Sequence, residues 1–257
     1  MTNQSIEAQC RSRVSPEEWE ARVNLAAAYR LVAHYHWDDL IYTHISIRVP
    51  GSDNHFLINP YGMLFDEITA SSLVKIDIDG NKVDDNPWPV NPAGFTIHSA
   101  IHAGRHEIQC VIHTHTVSGV AISAQQGGLL AISQQSIFIL RNLSYHDYEG
   151  VALCEDEKPR LVRDLGRKSC LMLRNHGLLT VGRSVAEAFQ LMYTFERACA
   201  IQVQAQSGAA ALIPIPDSII DKGNQQARSV AQGVSPQKLL WPALLRRLDR
   251  LDASFRD

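Results

Sequence analysis

The chain has 257 residues, 45% hydrophobic and 20% charged, the composition of an ordinary globular protein rather than a fibrous repeat or a disordered chain. Its formal net charge of -3 gives no global attraction to nucleic acid or to an anionic membrane, so neither is expected as a partner. The five cysteines are scattered and form no CxxC pair, which argues against a disulfide framework and a zinc ribbon. The first residues lack the apolar core of a signal peptide, and no run reaches the roughly 18 apolar residues of a membrane span, so a cytoplasmic location is expected.

Residues 1–14 are polar and expected to be flexible. Ser15-Pro16-Glu17-Glu18 reads as a helix start: Ser15 caps, Pro16 suits the first position and Glu18 closes a capping box. That helix runs to Tyr35, with Trp19, Val23, Ala27 and Leu31 near one face. Strands are expected at Thr43–Val49 and His55–Asn59, the second ending in an Asn59-Pro60-Tyr61-Gly62 turn. A short helix is expected at Ile68–Leu73, a strand at Val74–Ile78 turning at Asp79-Gly80, and a loop across Asp84–Pro92. Then come a helix at Phe95–Gly104, a strand at Gln109–His115, a helix at Ser118–Gln125 and a strand-like run at Ala131–Leu140. A helix includes Leu161–Leu165, and strands follow at Cys170–Leu173 and Leu178–Val181. Ser184 caps a long helix reaching about Ala205.

Residues 15–212 thus read as one domain, and 213–257 as a C-terminal extension carrying an amphipathic helix around Leu239–Leu251. That helix is expected to pack on its own domain or on a neighbouring subunit. Helices and strands alternate, but several neighbouring strands are joined too tightly for parallel crossovers. An α/β fold with a mixed or antiparallel sheet covered by helices is therefore expected.

Histidines carry the chemistry. His113 and His115 stand two apart on a strand, so both rings leave the same face and could share a metal, where the strand runs into a loop. Composition alone gives roughly 0.5 such pairs, and His34/His36 is a second one, in a helical pattern where the two side chains diverge. A third candidate, His176, sits in a polar turn after the apolar run Leu171–Leu173, next to Gly177, which permits a tight bend. Three neutral imidazoles suit zinc, and iron, cobalt or manganese less selectively. His98, His102 and His106 share a helical face, a half-buried or interface surface from which one could support the site.

The ordered segments Thr43–Arg48, Ile58–Gly62, Glu67–Val74, Asn91–Phe95, His98–His102, Val111–Thr116 and Asn175–Leu178 together resemble the class II aldolase/adducin family, in its adducin-like branch. The resemblance covers about residues 20–205 and implies a three-layer α/β/α fold with a central mixed or antiparallel sheet, and a homotetramer with sites near subunit interfaces. It also implies a divalent metal, zinc foremost with Fe2+, Co2+ or Mn2+ as alternatives, held by His113, His115 and His176. A proton-donating tyrosine falls in Ser144–Gly150, at Tyr145 or Tyr148. In the family's sugar-phosphate aldolases an acid/base glutamate precedes the HxH strand; its position here is Gly94. Their phosphate-binding Gly-Asn reads Thr43-His44 here. Both departures weigh against a sugar-phosphate substrate.

A three-histidine metal keeps an open coordination position and acts as a Lewis acid on a substrate carbonyl. Decarboxylation, unlike aldol cleavage, does not need the missing glutamate, and a tyrosine, with an ordinary pKa near 10, could deliver the proton to carbon. The expected function is a metal-dependent lyase, of aldolase or decarboxylase type, on a small oxo- or hydroxy-acid or sugar-derived substrate. Arg48 and Arg174 are candidate carboxylate contacts, with structural pairing as the plainer role. The alternatives are an adducin-like non-catalytic oligomeric scaffold and a non-haem iron oxygenase of the same family.

Overall fold

In the computed structural model, which describes residues 3–151, 155–231 and 235–257, the chain opens with a helix, α1 (Asn3–Arg13), where the sequence predicts no element. Ser15 then caps α2 (Pro16–His34) as expected, its side chain accepting from the Glu18 amide. The sheet is built from β1 (Ile45–Arg48), β2 (His55–Ile58), β3 (Val74–Asp77), β4 (Cys110–Thr114), β5 (Leu143–His146), β6 (Cys170–Leu173) and β7 (Gly177–Gly182). Its order is β3-β2-β1-β4-β7-β6-β5. Every neighbouring pair is antiparallel except β5–β6. That parallel pair is joined through α6 (Lys158–Leu165), the crossover that parallel strands require.

Helices cover both faces. On one, α2 and α7 (Val185–Gln206) bury Leu25, Leu31, Phe189 and Phe195 against Ile45, Ile112, Met172 and Leu178. On the other, α3 (Pro92–Gly104) and α6 bury Ile97, Ile101, Leu161 and Leu165 against Val111, Leu171, Leu179 and Val181. The three-layer α/β/α architecture with a mixed sheet is therefore observed. Alternation along β4 sends Cys110 and Ile112 toward α7, and Val111 and His113 toward α3.

Two expected elements differ. Ala131–Leu140 is not a strand: its second half is a helix, α5 (Gln134–Leu140). Ser133 and Ser136 form a reciprocal cap, each amide donating to the other's hydroxyl at 3.1–3.2 Å. That cap decides a short apolar run whose periodicity cannot separate strand from helix. The helix expected at Ile68–Leu73 is a set of turns after a 3-10 turn at Phe65–Glu67. There Thr69 and Ser72 exchange side-chain bonds with each other's backbone, satisfying locally what a helix would otherwise use.

The remaining helices are α4 (Val117–Ser123), α8 (Asp217–Ala231) and α9 (Pro236–Leu251). The polar α8 has no counterpart in the sequence reading. α9 packs on its own domain: Trp241, Leu244 and Leu248 join the α2/α7 core, and the Trp241 indole donates to Asn24 at 2.7 Å. The last turn buries Phe255 completely. No described helix is long and apolar enough to cross a membrane.

Candidate metal centre

β4 delivers His113 buried at its end and His115 just beyond it; the β6–β7 turn delivers His176. One ring nitrogen from each of the three lies within 4.8 Å of the others. The β6–β7 turn lies against β4 because β7 is the neighbour of β4, with Thr114 opposite Leu178. The left-handed backbone this turn needs falls on Asn175, at φ 56°. Gly177 serves differently from the bend expected of it. A Cβ there would stand 2.3 Å from the Thr114 carbonyl oxygen and 3.4 Å from the His113 ring, so only glycine lets the turn approach the two histidines.

Hydrogen bonds fix two tautomers. The Nδ1 of His113 lies 2.9 Å from the Leu178 carbonyl, which can only accept, so Nδ1 carries the proton. The Nδ1 of His115 lies 3.1 Å from the Asp39 carboxylate and donates to it. As neutral rings, both then present bare Nε2 lone pairs, and these two atoms are 2.9 Å apart. Two ring nitrogens that close are bridged either by a shared proton or by a metal ion, and the third imidazole completes a donor set that fits the ion. Carboxylate and carbonyl partners behind metal-ligating histidines are the usual supporting arrangement. The donor set fits a divalent transition metal, zinc included.

The electrostatics agree. Burial, then the neighbouring His176 and His115, hold His113 well below the usual histidine range. Burial, then His115 and His146, bring His176 down to about 4. Both rings therefore keep their lone pairs at neutral pH.

The two tyrosines separate. Tyr145 shares the β5 face of Leu143 and packs on the α2/α7 core. Its hydroxyl receives the Leu129 amide at 3.2 Å, and the Arg174 guanidinium lies 4.2 Å over its ring. Tyr148, beyond the strand, is half exposed, with its ring 6.3 Å from that of His176. His146 anchors the segment between them, with Nδ1 2.8 Å from Asp164 and Nε2 3.3 Å from Glu157. Arg174 donates to the Gln125 carbonyl, and Arg48 to the carbonyls of Asp53 and His102; both arginines have structural partners.

Three supports escape the sequence reading. Asp39 comes from a loop. Glu196, on α7, is buried and accepts the hydroxyls of Thr114 and Thr116 at 2.6 and 2.5 Å, bracketing His115 from behind. Burial raises its carboxyl to about 7 against those two hydrogen bonds. A lone glutamate among the apolar positions of a long helix is the signal that could have found it. His44 is the third: the His113 amide donates to its carbonyl at 3.1 Å, placing its buried ring beside the centre. Of the α3 histidines, His98 and His102 are buried, and His106 lies past the helix end and is exposed. Gly94 lies in α3 and brings no side chain to the centre.

The family model for the class II aldolase and adducin N-terminal domain matches residues 23–203. The chain belongs to the class II aldolase and adducin family. A solved aldolase II superfamily protein from Pseudomonas syringae is 55% identical and superposes with a TM-score of 0.90, over 96% of this chain and 99% of its own. An L-fuculose 1-phosphate aldolase from Glaciozyma antarctica is 26% identical, with a TM-score of 0.80 over 100% of this chain and 96% of its own. Alpha-adducin of Rattus norvegicus is 43% identical over 90% of this chain, which spans 33% of that longer protein. Class II aldolase and adducin family membership accounts for the mixed sheet flanked by helices.

Proposed function

We propose that the protein is a metal-dependent lyase that breaks a carbon–carbon bond in a small oxo- or hydroxy-acid or sugar-derived substrate. The observation that carries this reading is the pair of oriented, bare Nε2 atoms on His113 and His115, 2.9 Å apart, with His176 as the third donor. When bound there, a divalent ion would polarise a substrate carbonyl and stabilise negative charge developing beside it. Asp39 and the Leu178 carbonyl hold two of the donor rings, and Glu196 holds the segment that carries them through Thr114 and Thr116. Tyr148, whose ring lies 6.3 Å from that of His176, is the proton donor in this reading rather than Tyr145, which packs on the α2/α7 core on the other face of the sheet. A phenolic hydroxyl is a hydrogen-bond and proton donor and can deliver its proton to the carbon left by the departing group. With glycine at position 94, decarboxylation, which requires no base for a hydroxyl proton, is the favoured subtype. The working form is a cytoplasmic homotetramer; the buried free thiols of Cys110, Cys170 and Cys199 suit a reducing compartment.

The test is turnover by protein loaded in turn with zinc, cobalt, manganese and iron, on a panel of 3-oxo acids and hydroxy-ketones, read as carbon dioxide or aldehyde released. The reading predicts turnover that falls about 10²–10⁴-fold in Tyr148→Phe. Oxygen uptake with iron alone would replace it by the oxygenase. Stable protein that turns over nothing with any of the four metals would leave the scaffold, which the similarity to alpha-adducin favours.

A further inference from the structure

Among the described residues, seven buried side-chain atoms have no hydrogen-bond partner, and six belong to Thr43, His44, Arg48, Asn59, His98 and His102. The seventh, on Gln190, lies on α7 across the sheet. Folded interiors rarely leave such atoms unpaired, so a group of them asks for a ligand or a bound water.

Two of the six adjoin the metal centre. His44 stands opposite His113 across β1 and β4, as the 3.1 Å bond from the His113 amide to the His44 carbonyl shows, so both side chains leave the same face. His98 reaches that face from α3, its ring edge-on to His44 with centroids 6.1 Å apart. Ser46 Oγ holds the Nδ1 of His98 at 2.7 Å and the Nε2 of His102 at 2.8 Å. Ser46 has one proton, so it donates to one ring and accepts from the other; this fixes His98 with its Nε2 free. The Nε2 of His44 is free as well.

We propose that His44 Nε2 and His98 Nε2 form a hydrogen-bonding subsite, beside the three-histidine centre, for a hydroxyl group of the substrate. This rests on the lyase reading and adds to it a substrate class: an unphosphorylated hydroxy-carbonyl compound. A hydroxyl both donates and accepts, so it can pair with one bare and one protonated ring nitrogen, or accept from two N–H groups. A phosphate accepts only, and its burial calls for a cation. Arg48, on the same side of β1 as Ser46, has its terminal nitrogens committed to the carbonyls of Asp53 and His102.

The experiment is calorimetric titration of zinc-loaded full-length protein with acetohydroxamate, glycolohydroxamate and the phosphate ester of the latter. All three carry the same chelating group; only glycolohydroxamate adds a free hydroxyl. It is expected to bind about tenfold more tightly than acetohydroxamate, and more tightly than its phosphate ester. That advantage is expected to vanish in His44→Phe and in His98→Phe, with zinc content retained. The three ligands decide on the wild-type protein even if a variant fails to fold. Equal binding of the two unphosphorylated ligands would overturn the subsite and leave the two nitrogens to buried water. Tightest binding of the phosphate ester would overturn it in favour of an anion site. Absence of binding by all three would overturn the lyase reading together with the subsite, since no coordination position would then be open.

Discussion

His113 and His115 are aimed by partners of different kinds. The Leu178 carbonyl behind His113 belongs to the sheet and cannot be removed by substitution, whereas Asp39 behind His115 is a half-exposed loop carboxylate. Asp39→Ala is therefore expected to weaken zinc binding about tenfold, at the lower end of the range for such supporting partners. Competition with a chromophoric chelator measures this, and an unchanged dissociation constant would show that Asp39 does not hold the ring. At this scale the shared direction of His113 and His115 is legible because a strand's alternation is fixed, whereas the approach of His176 to them is not, because it depends on the β4–β7 pairing. Asp39 is not legible either, because a loop carboxylate leaves no periodic trace. The choice between Tyr145 and Tyr148 depended on where β5 ends. Alternation places Tyr145 with Leu143 on the core face, and Tyr148 lies past His146, where alternation no longer applies.

Whole elements position the centre. The β6–β7 turn reaches His113 only because residue 177 has no side chain, and Gly177→Ala would set a methyl group 2.3 Å from the Thr114 oxygen. Overpacking of this kind costs about 1–3 kcal/mol. Urea unfolding of the variant should show at least that loss together with a lowered zinc content; wild-type values for both would mean that the turn has room to move.

Behind β4, α7 presents Glu196, whose carboxyl is raised from 4.5 to about 7 by burial. Between those values the folded protein holds a proton that the unfolded chain has lost. Its contribution to stability therefore falls as pH rises from about 4.5 to about 7, by on the order of 3 kcal/mol. His44 and His176, both lowered to about 4 by burial first, act in the opposite sense: stability is lost as pH falls from 6.5 through 4. The difference between wild type and Glu196→Gln isolates the carboxyl. Urea unfolding at about pH 5 and pH 8 should show the variant gaining relative stability at the higher pH, and parallel profiles would contradict the buried, raised carboxyl. Elements with strong caps and long periods, α2 and α7, were legible in the sequence. The strand-like reading of Ala131–Leu140 failed because seven residues of α5 are too few to display a helical period, and its serine cap outweighs the β-branched composition.

At the scale of the molecule, the tight connections between strands already required a sheet that was not all parallel. The order β3-β2-β1-β4-β7-β6-β5 was not readable, because it rests on pairings between distant segments such as β4 with β7. That non-local pairing is what joins His176 to His113 and His115, so the centre exists only in the folded chain. The C-terminal residues belong to the same unit: Trp241, Leu244, Leu248 and Phe255 complete the core over α2 and α7. The central claim is that this fold assembles one metal site from these three histidines. Elemental analysis of tag-free protein, wild type beside His113→Ala, tests it most directly. The account predicts about one divalent metal ion per chain in the wild type and close to none in a folded His113→Ala variant. Wild-type protein that stays metal-free after incubation with zinc, cobalt, manganese and iron in turn would contradict it.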